Sequence, residues 1–156
     1  MWTIYEMVGL EDPELRREAA HHADGMVSWN DPDVAAGRES GEVLNDALVR
    51  LLMMGMELAE QRRSDPRNDL MTNLVQAEVE GRRLTDEEIG SFFVLLSVAG
   101  NDTTRNSISI SSRALQQFPD QKALLLEDFE GRIGGAVEEF VRWASPVMTF
   151  RQIGRA

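Results

Sequence analysis

The sequence contains no cysteine. That absence excludes disulfides, zinc–thiolate sites, iron–sulfur clusters and a thiol nucleophile within the chain. Positive charge is also scarce: 16 Lys and Arg stand against 27 Asp and Glu, a net charge of −11. Nucleic-acid phosphates and anionic membrane surfaces both require a basic footprint, so neither is an expected partner. No run approaches the roughly 18 to 20 apolar residues that cross a bilayer. The most apolar stretches, 48–59 and 92–99, read as buried helix. No Lys or Arg precedes Arg16, which argues against a secretory signal and for a cytoplasmic location. Signatures for nucleotide binding and serine hydrolysis (G-x-G-x-x-G, the P-loop, G-x-S-x-G) do not occur. Glu18 and His21 have the Glu-x-x-His spacing of a di-iron bundle, but that site needs two such pairs. The one other histidine is the adjacent His22, so no metal is expected from these groups, and the two read as a solvated helix face. What remains is 156 residues, 42% apolar and 28% charged, a composition suited to one soluble globular domain without an internal boundary.

The periodicity is mainly helical. Asp12 caps a helix over about 12–29 that has Pro13 in its first turn. Asn30-Asp31-Pro32-Asp33 ends it, because the residue before a proline leaves helical geometry. A second helix covers about 41–63, with Val43, Leu44, Ala47, Leu48, Leu51, Leu52 and Leu58 on a wide apolar stripe. Arg62 and Arg63 read as ordinary helix-end charges complementing the dipole. A third helix is expected over about 68–80. Thr85 and Glu88 form a capping box, and from there a helical pattern continues to Phe118-Pro119. That is about 50 Å at 1.5 Å per residue, well beyond an ordinary helix. Two more helices follow, one after Asp120 and one over about 131–143. Beyond Ser145-Pro146 the residues 147–151 alternate like a strand.

Two constellations stand out. Ala99-Gly100-Asn101-Asp102-Thr103-Thr104 lies mid-helix, directly after the apolar run 92–99. Gly, Asn, Asp and Thr are poor helix-interior residues, and their polar groups compete for backbone hydrogen bonds. Either the helix opens locally there, or Gly100 ends one helix and Asp102 or Thr103 caps the next. Glu139 and Arg142 lie three residues apart, on one helix face. As a surface pair they would contribute little. Buried, they would be costly to break.

The Ala-Gly-Asn-Asp-Thr motif in a long helix, followed by Glu-x-x-Arg, then Ser-Pro-Val and an extended segment with Arg151, resembles a bacterial cytochrome P450. The resemblance implies the helical part of that fold: lid helices near 12–29 and 41–63, the long central helix, the Glu-x-x-Arg helix and a short β segment. It implies a haem-thiolate monooxygenase that activates O₂ and hydroxylates an apolar substrate of the steroid or lipid kind. Ala99 and Gly100 would then lie against the haem, with Val98 touching substrate. Asp102 would deliver protons, and Thr103 would hydrogen-bond the oxygen. Glu139 and Arg142 would be a structural pair locking the core, and Arg151 would pair with a haem propionate, for which a bidentate guanidinium is suited. A ferredoxin-type or other electron donor is implied as partner. The family's F-x-x-G-x-x-x-C loop is absent, so the iron's thiolate ligand cannot come from this chain, which reads as an internal fragment, inactive alone. The competing expectation is a non-catalytic acidic helical domain that binds a partner.

Overall fold

The computed structural model describes residues 2–147. Among them the chain forms eight α-helices and one small hairpin, a mainly α architecture as the periodicity predicts. It packs as two compact units, 1–101 and 102–156.

The first unit begins with α1 (Trp2–Val8) and α2 (Pro13–Val27). Asp12 caps α2 by accepting from the Glu14 amide at 2.7 Å. Asp31 then caps a single extra turn, α3 (Pro32–Ala35), within the segment that the sequence predicts as the break after α2. Helix α4 (Ser40–Ser64) lies against α2, where small residues permit close approach: Ala19, Ala23 and Gly25 of α2 are all buried.

The expected third helix is shorter than its sequence reading. Asp69 caps α5 (Leu70–Gln76), and the chain then turns extended at Ala77. Strands β1 (Glu78–Val79) and β2 (Arg82–Arg83) pair antiparallel, Glu78 opposite Arg83. The reversal at Glu80 and Gly81 has φ values of 52° and 80°, the left-handed pair that a tight hairpin demands. Glu78, Val79 and Glu80 do not themselves forbid a helix; a helical reading overran because the turn chemistry at Glu80-Gly81 decides the matter.

Helix α6 (Asp86–Gln117) is the long helix, 32 residues without interruption. Its capping box forms as expected, Thr85 N donating to Glu88 Oε2 at 2.9 Å and Glu88 N to Thr85 Oγ1 at 3.3 Å. Within the first unit α6 crosses α4 in direct backbone contact. A Cβ on Gly55 would come 2.7 Å from Phe93 Cβ, and one on Gly90 would come 2.9 Å from the Leu52 carbonyl oxygen. Phe93, Leu51, Met71, Ile89 and Val8 are fully buried around this crossing. No helix of the described chain is long and apolar enough to cross a membrane.

The second unit holds the rest of α6 with α7 (Pro119–Glu127) and α8 (Phe129–Ala144). Phe118 and Trp143 meet edge-on there, ring centroids 5.8 Å apart. Neither α7 nor α8 buries any residue. Most of the strand expected over 147–151 lies outside the described residues, and Val147 itself belongs to no regular element.

Candidate functional site

The stretch Ala99–Thr104 is helical throughout, so neither the expected local opening nor a break at Gly100 is present. Polar side chains just beyond it bond back along the same helix. Ser107 donates back to the Thr103 carbonyl at 2.8 Å and Ser109 to the Arg105 carbonyl at 2.9 Å. Hydroxyls that bond the preceding turn in this way stay within the helix instead of competing with it.

Helical periodicity separates the motif onto different faces. Ala99 is exposed, near Leu95 at 60% exposure, and Thr103 lies one turn further on that side. Asp102 and Thr103 are half-buried, and Asp102 forms an ion pair with Arg105. In the second unit Thr103, Thr104 and Ser107 border an open groove of about 590 Å³ whose other wall includes Val137, Phe140 and Val147. Gly100, expected to lie against a haem, is half-buried. Its missing Cβ leaves room for Ile4 of α1, whose Cδ1 would sit 2.4 Å from that atom. Val98, expected to touch substrate, is half-buried and packs against the core of the first unit. Asn101 points inward at 5% exposure and donates from Nδ2 to Asp24 of α2 at 3.3 Å.

Glu139 and Arg142 form the expected pair, with two 2.6 Å hydrogen bonds. Burial does not accompany it: the side chains are 56% and 66% exposed. The Arg142 guanidinium pulls the Glu139 carboxyl below the usual carboxylate range. The pair is exposed because α8 buries nothing, so the core that it would lock is not assembled around it here. Arg151 lies outside the described residues.

Sequence reading missed the most buried ion pair among those of the described residues. Arg62 is not a helix-end charge in solvent but is 3% exposed. Its Nε donates to Asp69 Oδ2 at 2.5 Å and its Nη2 to the Gly9 carbonyl at 2.6 Å. One guanidinium thus ties α4 to the start of α5 and the end of α1. Burial pushes the Asp69 carboxyl up, but the Thr72 amide and Arg62 together outweigh it, and the net pKa is lowered. The i, i+7 spacing across Pro66 carries no local signal that would have found this pair. His22 also departs from a solvated reading. It is half-buried, and burial pushes its pKa down, with His21 adding to the effect. Among the described residues no group of His, Cys, Asp and Glu could hold a metal ion.

No protein-family model matches the chain. It is 41% identical over 149 residues to a methyl-branched lipid omega-hydroxylase of Mycobacterium tuberculosis, covering 96% of this chain and 34% of that protein. A steroid C26-monooxygenase of Mycolicibacterium smegmatis is 36% identical over 152 residues, covering 96% and 33%. The chain therefore spans about a third of the length of the curated relatives it matches. Among solved structures, a Mycobacterium marinum cytochrome P450 in complex with pseudoionone is 53% identical with a TM-score of 0.80, covering 94% of this chain and 35% of that one. A Bacillus megaterium cytochrome P450 in complex with testosterone is 30% identical with a TM-score of 0.77, covering 92% and 37%. Agreement in sequence, in helical fold and in the Ala-Gly-Asn-Asp-Thr stretch of a long helix leads to one assignment: the chain belongs to the cytochrome P450 family.

Proposed function

We propose that this chain forms the oxygen-side portion of a haem-thiolate monooxygenase that hydroxylates an apolar substrate of the lipid or steroid class. The observation that carries this reading is Ala99–Thr104 held in an uninterrupted helix, with a small exposed residue, Ala99, and a hydroxyl, Thr103, one turn apart. A flat apolar group fits against that side of the helix. Haem, when bound, supplies O₂ binding and activation with two electrons from a ferredoxin-type or other donor. Ala99 leaves space for its face. In the longer protein Leu95, 60% exposed one turn before Ala99, and the exposed part of the half-buried Val98 are the apolar surfaces proposed for substrate. Arg151 is the residue proposed for a haem propionate. No residue of this sequence supplies a thiolate, so the iron's ligand must come from outside it.

Proton delivery falls to Asp102 and Thr103. The Asp102 carboxylate is held by Arg105, and swinging away from that partner would let it exchange protons with solvent. Thr103 offers a hydroxyl that donates one hydrogen bond and accepts another, so it passes a proton without carrying charge. Names printed for the curated relatives, a methyl-branched lipid hydroxylase and steroid monooxygenases, support the substrate class.

The test grafts residues 1–156 into the matching third of the Mycobacterium marinum cytochrome P450 and follows electrons. Thr103→Ala is expected to leave haem loading intact while diverting NAD(P)H from product to peroxide; Thr104→Ala does much less. Unchanged product per NAD(P)H in Thr103→Ala would overturn the assignment. The 156-residue chain alone, reconstituted with haem and reduced, is expected to lack the thiolate-type carbon monoxide band.

A further inference from the structure

The inward side of the Ala99–Thr104 stretch does no chemistry in the reading above, yet two other helices hold it. Gly100 leaves room for Ile4 of α1. The buried Asn101 donates from Nδ2 to the half-buried Asp24 of α2 at 3.3 Å. One turn before Asn101, the buried Ser97 lies beside the equally buried Tyr5 of α1. Burial pushes the Tyr5 phenol up; the Ser97 hydroxyl opposes that shift as its hydrogen-bond partner, and the Asp24 carboxylate adds to it. Asp24 therefore stands near both Tyr5 and Asn101.

A hydrogen bond from a buried side chain fixes a direction as well as a distance. The Ile4 contact is apolar and without direction, whereas a hydrogen bond weakens steeply off its axis, and a carboxylate acceptor strengthens it. An α-helix turns by about 100° per residue. With Asn101 held inward, Thr103 is turned away from it by about 200°, onto the side of Ala99. Thr104 is turned by about 300°, which returns it to within about 60° of the Asn101 direction. The rotation of α6 about its own axis thus selects Thr103 over Thr104, and the Asn101 amide is tied to a different helix at that level.

We infer that Asn101 and Asp24 are positioning residues, whose hydrogen bond sets the rotation of α6 at the motif and so aims Asp102 and Thr103. Neither residue touches the reacting atoms; each acts through the helix backbone, where a small misplacement is costly to rate. The inference rests on the monooxygenase reading above and deepens it, because that reading takes the direction of Thr103 as given.

The pair allows a reciprocal exchange. Asn101→Asp alone sets two carboxylates against each other with no donor between them. Adding Asp24→Asn restores one amide and one carboxylate in swapped places. In the full 156-residue chain, Asn101→Asp is expected to lower the urea midpoint and the exchanged pair to recover most of it. In the Mycobacterium marinum graft, haem-loaded Asn101→Asp is expected to lose product per NAD(P)H several-fold. The missing electrons should appear as peroxide with KM unchanged, and the exchanged pair should regain the yield. Should Asn101→Asp not load haem, Asp24→Ala removes the acceptor without altering α6 and is expected to give the same loss. Full product per NAD(P)H in either haem-loaded variant would overturn the inference even if the urea midpoint fell, since a merely structural bond does that much. So would an exchanged pair that regains the midpoint but not the yield. Thr103→Ala in the same graft judges the haem reading separately. If it keeps full yield while Asn101→Asp loses it, Thr103 leaves the site and the Asn101–Asp24 bond stands as aiming Asp102 alone.

Discussion

Every buried apolar residue among those described belongs to residues 1–101, whereas 102–147 buries only Ser111. The second unit instead exposes Ile108, Leu126, Phe129, Val141 and Trp143, each at 49% or more. Yet α8 is as amphipathic in sequence as the helices of the first unit, with Ile133, Val137, Phe140 and Val141 recurring at helical spacing. The difference is therefore one of coverage rather than of sequence quality. An apolar stripe becomes a core when another element meets it, as Gly55 and Gly90 let α4 and α6 meet. The relatives' chains are about three times as long as this one. In the first unit the stripes find one another locally; in the second they do not.

Breaking the buried ion pair gives the largest expected loss. Arg62→Ala strands Asp69 and the Gly9 carbonyl, and should cost about 3 to 5 kcal/mol in urea unfolding followed by circular dichroism. A loss under about 1 kcal/mol would show that the pair is solvated. The same pair predicts a pH effect. Because the folded-state pKa of Asp69 is lowered, its contribution is present above the unfolded value, near pH 4, and is lost as pH falls below it. Asp69→Asn should flatten that acid limb.

A matched pair of truncations sharpens the contrast between units. Leu51→Ala, at a side chain with no exposure, should cost about 2 to 5 kcal/mol. Leu126→Ala, at 63% exposure, should stay within about 0.5 kcal/mol of the unaltered chain. Equal losses would mean that the second unit has a core of its own. Gly100→Ala comes next. The added methyl meets the flexible end of Ile4, so the cost should fall toward the low end of about 1 to 3 kcal/mol. Ile4→Ala in the same chain should recover part of it, as a thermal melt would reveal. The smallest effect belongs to Glu139→Ala, whose exposed pair should leave the melting temperature of this chain unchanged. In the grafted P450 described above, a fall in haem-loaded yield for the same substitution would show that further chain covers the pair.

Local chemistry accounts for what was legible. Asp12 and Thr85 cap helices because their side chains reach amides two or three residues away, and such bonds need no tertiary partner. The hairpin at 78–83 was harder, since only Glu80-Gly81 betrays it amid residues that tolerate a helix. The Ala99–Thr104 stretch was recognisable as a motif, but which face each residue takes was not. Gly100 turned to Ile4 and Asn101 to Asp24 because α1 and α2 pack on that side of α6.

The sequence by itself determined the helical class, the cap positions, the acidic surface and the absence of a thiolate, because each depends on residue type and short-range spacing. Tertiary structure alone decided that Arg62 is buried while Arg142 is exposed, although both are arginines near helix ends with an acidic partner within seven residues. The free energy of a charge pair depends on how much water the surrounding elements remove, and those elements lie far away in sequence.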